Sequence, residues 1–552
     1  MFNLRSVYFY FLAIKIYLYK NLKKIYFTTN YYNNSLKSKS PNQLYFYPNP
    51  FLLSLITNHN NFTFKISNID ADMFWKKQKS EKEEKMLHDF LWLNLINRSN
   101  EGLVIQNIIT VWIHKNSKYK KIIWDTSVVS KRIISWILNA NMILNNKDEI
   151  FKNNFFQSIV MQVNHLKNNI KFENDYSKKI EILTAILISS LVFKEYSNNY
   201  DFSLKELKKL IDDVFDENGF TKGRNSNQLL KFSKYLILIK ECIKDSHKYS
   251  PEYLDETIDR NLNSLKSILT PKNELPLFNG STLINIEEYF SYIERLNYKI
   301  NKPKSNVGGI QIIKNKKNIV YFDVGETPYK NFSSNYQCGP LSLEYFFEGE
   351  KIITNCGFGS NISKKAMLLS RLTSAQSTLC LNNTSVTKFE RSKLLNSAFG
   401  NSVTEGFKIS NFRYEENDLD MRCEATHNAY DKKFGCKHKR SIQINKKSNT
   451  FYGTDEISKN SNDSLVNYDI RFHLYPGILA TQTMGGKNIL IQIKKTKSLI
   501  FTCKNEKLLV EKSIFLGGNK ILNSYCITIS GSMSGYEKKI YWEIKKTSKD
   551  AS

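Results

Sequence analysis

The sequence predicts a two-part chain, a helical N-terminal half followed by an antiparallel β-sandwich. Three observations carry this expectation. Up to about residue 300, apolar residues recur at three- and four-residue spacing, the period of a helix with one buried face. Beyond about residue 305 the period drops towards two, and β-branched and aromatic residues dominate. The strand-like segments there follow one another without intervening helical periods, which favours an antiparallel sandwich over a parallel βαβ layout.

Residues 1–40 read as one apolar and basic helix. Its longest clean apolar run, Val7 to Ile14, ends at Lys15 and is far too short for a membrane span. The segment also lacks a small-x-small cleavage site, so it does not have the form of a signal peptide. An amphipathic helix packed on the body is expected, with membrane-surface contact as the alternative. Residues 41–300 form the helical domain. Asp89 to Ile96, Ser127 to Leu144, Ile180 to Tyr196 and Leu229 to Ile243 carry helical periods, and the short polar stretches between them suggest successive helix hairpins. Glu81 to Lys85 is a solvated charge run. The linker is NKPKSN, Asn301 to Asn306. The β domain, 301–552, opens with GGIQIIKNKKNIVYFDVG, two strands around a Lys-Asn-Lys-Lys turn. LSLEYFFEGEKIITNCG, KHKRSIQINKKSNTFYGTDEIS and KNILIQIKKTKSLIFTC repeat that pattern.

Composition narrows the function. The formal charge is +28, from 80 Lys and Arg against 52 Asp and Glu. Such a field favours polyanionic partners, whether nucleic acid, anionic lipid or acidic polysaccharide. Compositional drift in an AT-biased genome is the competing source, since the lysines are spread along the chain. No basic stripe with interleaved stacking aromatics occurs, so nucleic acid is not expected. No G-x-G-x-x-G or Walker pattern follows a strand, and the glycine pairs 308–309, 485–486 and 517–518 read as hairpin turns, so no nucleotide cofactor is expected. The eight cysteines contain no C-x-x-C pair and read as unpaired, mostly buried thiols, with one or two disulfides as the alternative if the protein is exported.

Several segments resemble the heparinase II/III family. In the helical half these are WDTSVVSKRIISWILNAN (Trp124 to Asn141), DENGFTKGRN (Asp216 to Asn225) and LPLFNGS (Leu275 to Ser281). In the β half, FDVGETP, GPLSLEYFFEGEKIITNCG, RLTSAQSTLCLN, HNAYDKKFGCKHKRSI and RFHLYPG follow in the family's order. The resemblance implies an incomplete (α/α) toroid followed by an antiparallel β-sandwich, with substrate between the two. It further implies a polysaccharide lyase that cleaves a uronic-acid-containing glycan by β-elimination, in the cell envelope or periplasm, although the N-terminus leaves a cytoplasmic setting open. A catalytically weakened relative that binds or remodels such a glycan is the alternative.

Elimination from a uronide needs a neutralised carboxylate, a base for the C5 proton and an acid for the departing oxygen. On the resemblance, the catalytic candidates are Tyr430, His438, His427 and the pair Asn164 and His165. The substrate-binding candidates are Arg224, Gln337, Gln376 and Arg440. His427, Tyr430, His438 and Arg440 fall in one strand-turn-strand, where positions of equal parity share a face; cross-strand packing is the competing reading. Some family members carry a zinc held by histidines and an aspartate. Here Gln337, Gln376 and Asn355 stand at those places, and neutral amides bind zinc poorly, so no metal is expected. His473 reads as a sheet histidine, and His59, His88, His114 and His247 as structural.

Overall fold

The computed structural model describes residues 4–57, 74–75, 80–96, 102–146, 148–301, 303–461, 465–483, 485–494 and 497–547. His59 lies outside them. The chain divides into two compact units, residues 1–215 with 230–260, and residues 216–229 with 261–552. The division therefore does not follow the change of periodicity near 300: the Asp216–Asn225 motif and residues 261–300 fold with the strands.

The first unit is helical. Gly102–Asn116, Thr126–Leu138, Glu149–Ile170, Tyr176–Val192, Asn198–Val214 and most of Ser226–Asp245 are among its helices. Three of these begin directly after an aspartate whose side chain accepts a backbone N–H of the first turn: Asp125 from Ser127, Asp148 from Phe151 and Asp175 from Ser177. Tyr176–Val192 is the central helix, buried at every position from Ile180 onward. It packs against Thr126–Leu138, Glu149–Ile170 and Asn198–Val214. The N-terminal helix, Leu4–Thr28, lies on this unit through Ala13 and Phe27. The Phe27 ring sits 4.4 Å from Tyr32 and 5.5 Å from His165. Glu81 to Lys85 opens a capped helix, Glu81–His88. The helical reading of Asp89 to Ile96 is corrected: Phe90 takes a left-handed conformation (φ 59°) and a 3₁₀ helix, Leu91–Leu95, follows.

The second unit is built on two large antiparallel sheets. In spatial order one runs Asn306–Val307, Ile310–Lys314, Asn318–Asp323, Leu343–Phe347, Glu350–Thr354, Val466–Leu474, Leu522–Met533, Lys507–Phe515, with Leu379–Leu381 also pairing to Val466–Leu474. The other runs Leu479–Gln482, Asn488–Lys494, Lys497–Thr502, Glu537–Lys546, Phe451–Lys459, Cys436–Asn445, Asp420–Tyr430, Ile409–Glu416. Each of the four strand-turn-strand segments read from the sequence is a hairpin. One core holds inward side chains of both sheets, among them Val320, Ile353 and Phe472 from the first and Ile442, Phe451 and Trp542 from the second. The first sheet is also covered on its other face, where Phe278, Ile310, Tyr321 and Phe346 cluster, so Leu343–Phe347 is buried at every position. All eight cysteines are free and buried.

Candidate functional site

In the second unit the family-like motifs meet one another through buried polar side chains. Arg224, in a left-handed conformation (φ 58°), sends its guanidinium into the FDVGETP turn. Nε donates to Gly308 O at 2.9 Å, one terminal nitrogen to Glu326 O at 3.1 Å, and the other to Gly309 O at 3.2 Å and to the Asp323 carboxylate. Gly309 and Gly325 lie flat on it, where an added Cβ would come within 2.9 Å and 2.1 Å of guanidinium atoms. The fork of Arg224 is thus occupied by its own chain and leaves little to offer a sugar acid.

Gln337, Gln376 and Asn355 are equally committed. Gln337 accepts from Gly280 N at 2.9 Å and donates to Ser370 O at 2.8 Å and Gly357 O at 3.3 Å. Gln376 donates to Ser370 O at 2.8 Å, and Asn355 accepts from Ser377 N at 2.9 Å while donating to Leu277 O at 3.3 Å. All three are buried. An amide donates as well as accepts, and these donors are spent on backbone carbonyls. Neutral amides committed in this way supply neither the anionic nor the imidazole donors that zinc takes, so the residues present do not fit a zinc ion. Among the described residues no group of three His, Cys, Asp or Glu side chains could hold a metal.

His427, His438 and Arg440 share the inner face, and a register shift between His427 and Tyr430 brings Tyr430 inward as well, but they point into the sandwich and none is accessible. Ala429 N donates to His427 Nδ1 at 3.2 Å, so His427 carries its proton on Nε2 and donates to His438 Nδ1 at 3.1 Å. His438 Nε2 in turn donates to Asp455 Oδ1 at 2.7 Å. Arg440 grips the same carboxylate at 2.7 and 3.2 Å and donates to Leu341 O and Ser377 O; Trp542 Nε1 closes the set on Asp455 Oδ2 at 2.9 Å. Burial pushes the Asp455 carboxyl up, but Arg440 and His438 outweigh it and hold it well below the usual carboxylate range. Burial keeps both histidines below their ordinary value. Tyr430 Oη accepts from Leu381 N and faces Leu379 O and Thr384 O, and burial drives its phenol well up. Every polar atom of the set is satisfied internally. Asp455, the hub, stood in no sequence motif.

In the first unit His165 is buried, accepting from or donating to Tyr32 Oη at 2.7 Å through Nδ1 and contacting Trp124 O at 3.0 Å through Nε2. Burial lowers it to about 3. Asn164 is half-buried and donates to Leu36 O and Ser38 Oγ, tying down the segment after the first helices.

A different constellation in this unit includes charged side chains that are partly exposed. Glu181, fully buried on the central helix, receives Lys231 Nζ at 2.7 Å and Lys131 Nζ at 3.7 Å, with Tyr235 Oη at 3.5 Å. The Lys131 and Lys231 side chains are 27% and 35% exposed. Burial pushes Glu181 up, and the two lysines bring it below its ordinary value, so it stays ionised. Asp89 senses the same groups: burial raises its carboxyl to about 6, with Lys131 and Arg132 opposing. Arg132 is buried on Trp112, its centre 4.3 Å from the ring, and donates to Gln162, His88 O and Ile123 O. Sequence reasoning missed this cluster, because Glu181 sits in a run whose helical period is otherwise apolar and Lys131 and Lys231 look like ordinary surface lysines.

Comparison with known proteins gives this geometry a setting. Residues 301–543 match the family described as Heparinase II/III-like, C-terminal. A heparan sulfate lyase HepC mutant from Pedobacter heparinus superposes with a TM-score of 0.69 over 95% of this chain and 88% of its own, at 13% identity. A crystal structure of heparinase III does so with 0.69 over 98% and 92%, at 14% identity. These likenesses establish the fold, a helical toroid followed by a β-sandwich. FtsZ-localized protein C of Caulobacter vibrioides is 20% identical over 445 residues, covering 77% of this chain and 75% of that protein.

Proposed function

Because residues 301–543 are a heparinase II/III-like C-terminal domain within a polysaccharide-lyase fold, we propose that the chain binds an acidic, uronic-acid-containing glycan and cleaves it slowly by β-elimination. The observation that carries this reading is the pair Lys131 and Lys231, both held on the buried Glu181 with their side chains partly exposed. Two ammonium groups so fixed can neutralise a uronate carboxylate, which is the first requirement for making its C5 proton acidic. We assign the buried Asp89 as the base, because burial raises its carboxyl to about 6 against the opposing charges of Lys131 and Arg132, near the pH at which a general base works best. Tyr235 is the phenol of this cluster. We assign Tyr430, His427, His438, Arg440, Arg224, Gln337 and Gln376 to holding the second unit together rather than to sugar contact, and Asn164 and His165 to anchoring residues 32–38 on the first.

A second reading, binding without turnover, is favoured by one observation: the two glutamines standing where family members carry histidines have their N–H groups spent on backbone carbonyls. One assay separates the two. The purified chain is incubated with a panel of uronic-acid polysaccharides, and binding is measured alongside the absorbance of the unsaturated uronate product. The lyase reading expects a slow rise with at least one polymer, abolished in Asp89→Asn with binding retained. Binding with a flat trace establishes the second reading.

A further inference from the structure

The Leu4–Thr28 helix presents apolar side chains on two opposite sides. One side packs on the helical unit, with Ala13 and Phe27 buried and Phe9, Leu12, Ile16 and Lys23 half-buried. On the other side Val7, Phe11, Ile14, Leu18, Leu22 and Ile25 stand in solvent, Phe11, Leu22 and Ile25 each about two-thirds exposed. At about 100° per residue these positions fall within an arc of about 80°, centred opposite the packed side. Tyr8, Tyr19 and Tyr26 border the stripe on one edge and Tyr10 and Tyr17 on the other, with Lys15 beside the first edge and Lys24 further round, beyond Tyr17. The chain carries no Asp or Glu before Asp70. No described helix is long and apolar enough to cross a membrane.

We propose that this stripe docks the protein on the surface of an anionic lipid bilayer, with the helix lying in the plane of the headgroups. The apolar side chains enter the acyl boundary, the tyrosines sit at headgroup depth, and Lys15 and Lys24 reach the phosphates. Charge selects this occupant. A basic stretch without a single acid repels a second copy of itself and is attracted to an anionic leaflet. The surface is independent of the glycan site, so its test does not depend on lyase activity.

The full chain is sedimented with vesicles of phosphatidylcholine alone and with vesicles containing phosphatidylglycerol. Binding to the anionic vesicles is expected, weakening as salt is raised beyond about 0.1 M, where the Debye length falls below about 10 Å. Phe11→Asp with Leu18→Asp should cut the bound fraction at least about tenfold, since charge in the apolar face of an interfacial helix opposes insertion. The melting temperature and far-UV circular dichroism should stay unchanged. Lys15→Glu with Lys24→Glu should erase the preference for anionic vesicles. Three results each overturn the proposal: no binding to either vesicle, binding that survives Phe11→Asp with Leu18→Asp, or a dimer in sedimentation velocity that these substitutions dissolve in the absence of lipid.

Discussion

Asp455 shows how much a single buried carboxylate can organise. It receives His438, Arg440 and Trp542, and through His438 it fixes the tautomer of His427. Removing it leaves an unpaired guanidinium in the sandwich core, so Asp455→Ala should lower unfolding free energy by about 3–5 kcal/mol, read from urea denaturation. A loss under about 1 kcal/mol would show that water reaches the set and that the burial described is wrong. The imidazoles give a pH signature. Burial holds His88 and His165 at about 3, with His427 and His438 also below their ordinary value. An unfolded chain protonates histidine near about 6.5, so below that value the unfolded state binds more protons than the folded one. The stability these groups contribute is complete above about pH 6.5 and drains as the pH falls towards 3. Replacing His165 with Gln should flatten that slope in urea midpoints taken across the range; an unchanged slope would mean that His165 is protonated in the fold. At this scale the sequence was only partly legible. The parity of His427, His438 and Arg440 placed them on one face, but parity does not say which face is buried, and their partner Asp455 lies on the next strand in a stretch that reads as an ordinary alternating strand.

The elements themselves were easier to read. The four hairpins are visible as period-two runs around polar turns, and the helices that follow Asp125, Asp148 and Asp175 announce their starts. The stretch from Asp89 to Ile96 misled because Trp92, Leu93 and Leu95 mimic a helical period, while the left-handed turn at Phe90 leaves no signal in a non-glycine residue. The motifs that suggested the family turn out to be joints between elements: Arg224 ties the 216–225 loop to the turn after Asn318–Asp323, and Gln337 ties Gly280 to Ser370. Side chains of this kind are specified by their neighbours, and that is enough to make the motifs recognisable in sequence. The Gly325 turn offers the test. A methyl there would meet the Arg224 guanidinium carbon at 2.1 Å, so Gly325→Ala should cost about 1–3 kcal/mol in a thermal or urea melt, the range for overpacking a filled interior. A neutral result would show that Arg224 swings free, and would return it to the list of substrate contacts.

For the whole molecule, the charge of +28 over 552 residues acts as a long-range field superimposed on local sites. Binding of any polyanion should weaken with ionic strength, but only contacts at a shaped site should discriminate between a uronate polymer and a generic polyanion. Affinity for a uronic-acid polysaccharide is therefore best measured against a non-uronate polyanion of matched charge, in the native chain and in Lys131→Ala with Lys231→Ala. Each lysine lost removes a charge-assisted hydrogen bond of about 1.5–3 kcal/mol, roughly a tenfold or greater change in affinity. The account predicts that the double substitution weakens uronate binding about a hundredfold, abolishes the unsaturated product and leaves the weak binding of the other polyanion within about twofold. Equal weakening towards both polymers, or none towards either, would contradict it.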